Sequence, residues 1–213
     1  MYIRIDIVNK KQYEVSDNYK EVKIIIPKDI EELKKDFLYL GLDYDSLSIQ
    51  DTHIKECDVI CRDNPAFSAE LSGEINNIIV RASESGYTTP FNDINKFYDL
   101  IKGFEKEEER DKLLAILEAK RENIENIKDA IKFVENINCF ELIEAENTEE
   151  LARKLIYNGE IDMEDLIDYA NLDRLGDEYA DDKGMIKTEQ GFLMQECDLK
   201  CDLEQEDEFG GDM

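Results

Sequence analysis

Between Glu164 and Met194 the chain loads acids and apolar residues onto one short segment: Asp165, Asp168, Asp173, Asp177, Glu178, Asp181 and Asp182 are interleaved with Leu166, Ile167, Tyr169, Leu172, Leu175 and Tyr179. Basic partners are scarce. Read as a helix, Leu166, Tyr169, Ala170 and Asp173 fall at i, i+3, i+4 and i+7, so an apolar stripe shares its turns with carboxylates that have to face solvent. Gly184 breaks the pattern. Met185 to Thr188 and Phe192 to Met194, parted by Gly191, then predict a terminal hairpin.

The same acid excess marks the whole chain, unevenly. Against 53 acids stand 26 lysines and arginines, a formal charge of -27 whose self-repulsion opposes a compact state. Residues 141–213 hold 24 acids and 6 bases while residues 1–140 hold 29 and 20, so two thirds of the excess falls in the last third. Duplex DNA carries one negative charge per about 1.7 Å of axis, which makes 27 charges in a line equivalent to roughly 46 Å of duplex. A chain of this sign repels phosphates, so direct nucleic-acid binding is not expected and its partners should be basic. Lysine is used freely between residues 105 and 135, which argues against a halophile's general thinning of that residue.

With 42% apolar residues the chain has material for a core. There is no run of 18 apolar residues and the start, MYIRIDIVNK, lacks the basic and apolar regions of a signal peptide, so the expectation is a cytoplasmic protein with no membrane contact. Five cysteines, an odd number without a secretion signal, predict reduced thiols. Cys57/Cys61 and Cys197/Cys201 would make a zinc set only if the chain ends met, and neither pair carries knuckle glycines, so no metal is expected.

In order along the chain, Ile3, Ile5 and Ile7 alternate with Arg4 and Asp6 as in a half-buried strand, and Val22 to Ile26 repeats the signal. Asp29 and Glu32 have capping spacing for a helix bearing Ile30, Leu33, Phe37 and Leu40, which Gly41 stops. Ser46 to Gln50 is the expected third strand, and Cys57 to Asn64 stays ambiguous. A helical stripe follows at Leu71, Ile75, Ile78, Ile79 and Ala82, with Ser68 as its expected cap and Gly86 as its end. Further helices are expected over Asp93 to Lys102 and from Glu105 to a break at Asn123. Ile124, Ile127, Ile131 and Val134 continue either as a second helix or past a kink.

Cys139 to Ile143 reads as a strand, followed by helices capped at Asn147 or Thr148 and at Asp162. The expected fold class is α+β and elongated: a ββαβ domain over 1–60, a helical middle domain over 61–137, and an acidic α+β domain with its terminal hairpin over 138–195. An acidic tail over 196–213 is expected to be disordered.

Ile167-Asp168-Tyr169, Leu172-Asp173-Arg174-Leu175, the acidic turn to Gly184 and the close at Gly191-Phe192-Leu193 resemble the ArdA antirestriction family, DNA mimics that block type I restriction enzymes. Glu150-Leu151-Ala152-Arg153-Lys154-Leu155-Ile156 looks like the helix that precedes the family's motif, and Asp93-Ile94-Asn95-Lys96-Phe97 like its Leu-Asn segment. The pattern departs where Ala170 replaces the usual acid after the tyrosine and where Leu175-Gly176 separates Arg174 from Asp177. The likeness covers roughly residues 91 to 194, and more weakly 1 to 55.

The resemblance implies a homodimer, without cofactor, whose carboxylates occupy the DNA groove of a type I restriction-modification enzyme. Glu160, Asp162, Glu164, Asp165, Asp168, Asp173, Asp177, Glu178, Asp181 and Asp182 are the expected phosphate mimics, with Leu166, Ile167, Tyr169, Leu172 and Leu175 for packing or a dimer interface. No catalytic residue is expected: the lone His53 reads as a surface residue, and no nucleophile elbow, phosphate loop, zinc helix or EF-hand pattern is present. The alternative is an acidic adaptor that binds a basic protein unrelated to DNA, using its helical faces and tail.

Overall fold

The computed structural model describes residues 1–46, 51–87, 89–161 and 172–199. The fold is α+β. Among the described residues eight helices accompany two three-stranded antiparallel sheets. In the first sheet β1 (Tyr2–Asn9) lies between β2 (Glu21–Ile26) and β3 (Thr52–Ile60). Ile3, Ile5 and Ile7 are fully buried on one face, as the alternation predicts. The other face is stitched by ion pairs at facing positions, Arg4 with Asp58 and Asp6 with Lys23, the latter at 2.9 Å, and Lys55 reaches Glu21 at 2.6 Å.

The third strand starts at Thr52, later than the sequence suggests, and runs through residues left ambiguous; 47–50 lie outside the described residues. Pairing from Tyr2↔Ile60 to Asn9↔Thr52 gives β3 the full length of β1. Lys55, Glu56 and Asp58 interrupt its apolar pattern, which hid it. A short helix, α1 (Lys10–Val15), joins β1 to β2 and was not foreseen. Helix α2 (Ile30–Tyr39) is capped by the Asp29 carboxylate, which accepts the Glu31 N–H at 2.9 Å; Leu33 and Phe37 point inward, but Ile30, expected inward, is half exposed.

Helix α3 (Pro65–Glu84) is capped by Asn64, with Pro65 in the first turn, so Ser68 is not the cap. Ser68 belongs instead to a polar row, with Ser72 and Asn76, that seals the free side of β3. The Ser68 hydroxyl donates to the Val59 carbonyl at 2.6 Å and accepts the Cys61 N–H; Ser72 Oγ accepts the Val59 N–H at 2.8 Å. Asn76 accepts from the Cys57 N–H at 2.9 Å and donates to its carbonyl at 2.8 Å. Residues four apart share a helix face, so one helix presents three such groups in line. Asn76→Ala should leave both polar groups of the Cys57 backbone unpaired and cost about 1–3 kcal/mol, read from denaturant unfolding.

Helices α4 (Phe91–Ile101), α5 (Glu107–Ala119) and α6 (Ile127–Glu135) complete the large core, which runs from Ile3 to Phe140 and takes in Leu193. A 3-10 turn over Arg121–Asn123 divides α5 from α6, and Asn126 caps the second, so the kinked alternative falls away. Arg110 is buried there, donating to the Phe104 carbonyl at 3.0 Å and to Asp63 at 2.9 Å.

The second sheet has the order β4 (Phe140–Ile143), β6 (Gly191–Gln195), β5 (Ile186–Thr188), so the terminal hairpin forms as expected. Helices α7 (Thr148–Asn158) and α8 (Leu172–Lys183) pack together over a smaller core of Leu151, Ala152, Leu155, Ile161, Leu175 and Phe192.

The expectation of reduced thiols is corrected. Cys139 and Cys197 form a disulfide, because the antiparallel pairing of Phe140 with Gln195 brings the residue before β4 beside the segment that leaves β6, two residues past whose end Cys197 stands, with Cα atoms 5.0 Å apart. Cys57 and Cys61 are free and buried. Among the described residues no helix is long and apolar enough to cross a membrane.

Candidate acidic interface

Helix α8 carries the expected mimic residues that can be placed, apart from Glu160, which follows α7. Asp173, Asp177, Asp181 and Asp182 are exposed, and the first three recur every four residues along one side of the helix. At about 1.5 Å rise per residue that line holds one charge per roughly 6 Å, thinner than the roughly 3.4 Å of a single DNA strand. Glu178 is half-buried and accepts from the Arg174 Nε at 2.8 Å, and Glu160 accepts from the Tyr179 hydroxyl at 3.1 Å. Leu175 is buried in the smaller core and Leu172 packs against it. Asp162, Glu164, Asp165, Asp168, Leu166, Ile167 and Tyr169 lie outside the described residues.

The denser acid array was not expected from the sequence. Glu70, Asp111, Glu144, Glu146, Glu150 and Glu189 line a cleft of about 450 Å³. A hollow beside it shares Glu70, Glu189 and Gln190 and adds Glu74 and Glu118. The lining therefore holds eight carboxylates and two cations, Lys154 and Arg121, both already paired: Lys154 with Glu150 at 3.6 Å and Arg121 with Glu74 at 2.6 Å.

Four parts of the chain build this wall: α3, α5, the entry to α7 and the β5–β6 turn. Glu118 locks the turn to α5 by accepting the Glu189 N–H at 2.9 Å. On the α7 side the Glu150 carboxylate accepts the Glu146 N–H at 2.9 Å, while Lys187 donates to the carbonyls of Ala145 and Glu146. These contacts tie the carboxylates of Glu118 and Glu150 to backbone and hold together the segments that carry the other acids.

Their titration reflects the crowding. Burial, reinforced by Glu189 and Asp111, pushes the Glu70 carboxyl above its ordinary range. Burial, with Glu107 and Glu144, does the same to Asp111. Glu150 moves the other way, because the Glu146 N–H and Lys154 favour its charge. Repulsion among anions at this density is what an approaching cation relieves. No signal in the sequence joins Glu70, Asp111, Glu144 and Glu189, which are far apart along the chain and meet only through packing.

Among the described residues no three potential ligands gather around a metal site. The cysteine pairs considered for zinc do not assemble: Cys57 and Cys61 are buried in the large core, Cys197 is bonded to Cys139, and Cys201 lies outside the described residues. No protein-family model matches the chain, and a search of curated proteins returns no match.

Proposed function

We propose that the protein is a DNA-mimicking antirestriction protein that occupies the DNA groove of a type I restriction-modification enzyme, makes and breaks no bond, and needs no cofactor. It works in the cytoplasm as a homodimer. The observation that supports this reading is the cleft and adjoining hollow lined by eight carboxylates, whose two cations are already neutralised. The exposed aspartates of α8 extend the anionic surface on the same chain. A groove lined by lysine and arginine would shed counterions on meeting such a surface as it does on meeting a phosphate backbone.

The test is a competition assay with a purified type I enzyme and duplex substrate. Inhibition should be relieved by added duplex and should weaken steeply as salt rises from about 50 to about 200 mM. No inhibition, or inhibition indifferent to DNA or salt, removes the reading. Truncation after Leu199 keeps the disulfide while deleting most of the tail acids. A mimic built on the folded body keeps most of its activity after that cut, whereas an adaptor that works through its tail loses its partner.

A further inference from the structure

His53, the chain's sole histidine, sits in β3 with 6% of its surface exposed, which corrects its reading as a surface residue. Its Nδ1 is buried and meets no hydrogen-bond partner among the described residues. An unpaired buried nitrogen in an otherwise satisfied sheet calls for a reason, and a moving part is one such reason. Over the imidazole lies Tyr13 of α1, ring centroids 5.0 Å apart and planes 28° from parallel. No residue of α1 is buried. Among the described residues its contacts with the body include this stack and the Lys11–Asp51 ion pair at 2.8 Å, and Tyr13 also meets Tyr19 edge-on. Elements held this lightly open first.

Charged groups converge on the ring from each neighbouring element. Lys10 and Glu14 come from α1, 3.8 Å from each other. Lys55 comes from His53's own strand and is already bonded to Glu21. Across the small cavity that Tyr13 and His53 line, α3 contributes Ser83 and Glu84, and β1 sets Val8 opposite. Burial first, then Lys10 and Lys55, disfavours a charged ring, with Glu14 opposing; its proton affinity therefore falls below the ordinary value.

We propose that α1 is a proton-released flap: when His53 takes up a proton, the imidazolium under Tyr13 repels Lys10 and seeks water, and residues 10–15 lift from the sheet. The folded ring binds its proton less readily than the unfolded one. The closed flap is therefore fully stable above the ordinary histidine value of 6.5 and loses stability as pH falls below it.

The test measures amide hydrogen exchange at residues 10–15, each rate divided by its intrinsic rate at that pH, beside the single imidazole resonance. Opening of these amides should rise about tenfold between about pH 7.5 and about pH 5, in step with the His53 titration, while β1 and α4 stay closed. His53→Phe keeps a ring under Tyr13 and removes the proton, so its flap should ignore pH. Tyr13→Ala, at a position 39% exposed, should move the His53 midpoint back toward its ordinary value. Flat opening in the unaltered protein, pH dependence that survives in His53→Phe, or an unmoved midpoint in Tyr13→Ala each overturns the flap.

Discussion

Gly176→Ala is expected to lower stability by about 3 kcal/mol or more, with the loss concentrated where α7 meets α8. The added methyl would stand 1.9 Å from the Thr148 carbonyl oxygen and 2.7 Å from its carbon. Both are backbone atoms of the first residue of α7, and backbone cannot rotate aside as a side chain would. The helices would have to part, taking Leu175 and Ala180 out of the cluster they form with Leu151, Ala152 and Leu155. Denaturant unfolding followed by circular dichroism measures the loss, and amide spectra should show it confined to residues beyond Phe140. Gly73→Ala supplies the contrast: an added methyl at that exposed position of α3 meets nothing within 4 Å, so alanine should stabilise by about 0.5–1 kcal/mol. Equal losses at the two glycines would show that close approach is not what sets the cost.

Neutralising the cleft should move stability and binding in opposite directions. Glu70→Gln, Glu144→Gln and Glu189→Gln together remove three of the eight anions and leave the Glu118 anchor of the turn intact. At neutral pH and low salt the triple variant should melt about 2–4 °C higher, the shift that about 1 kcal/mol produces in a chain of this size. Its grip on a basic groove should weaken about tenfold, about 1.4 kcal/mol, with a shallower salt dependence. Thermal melts beside the competition assay read both. A variant that melts no higher and inhibits as before would detach the cleft from the function.

The pH profile follows the same logic. The folded chain binds protons at Glu70 and Asp111 more tightly than the unfolded chain does, so mild acidification through those raised values adds stability from the cleft. The α1 flap responds to falling pH in the opposite sense, so acid should tighten the cleft and loosen residues 10–15 in one sample.

Much of the fold was legible because local chemistry and tertiary packing agreed. Ile3, Ile5 and Ile7 alternate and are buried; Asp29 and Asn147 cap where their spacing says; Gly184 precedes the hairpin and Gly191 follows its turn. Misreadings arose where a long-range partner decided the outcome. Ser68 looks like a cap because serine caps helices, yet β3 recruits its hydroxyl. Cys139 and Cys197 are brought together only by the register of β4 against β6, which two distant cysteines do not announce. The site shows the same division. A single helix revealed the aspartates of α8, whereas the cleft draws on four parts of the chain, and its electrostatics exist only once they meet.

The row of Ser68, Ser72 and Asn76 makes α3 stand in for a fourth strand. A neighbouring molecule that arrives to extend the sheet finds those sites along β3 taken by side chains of the same chain, so on this flank the lattice ends inside the monomer. Protection from fibrous self-association is thus written into one helix and holds even where salt has silenced the repulsion between copies.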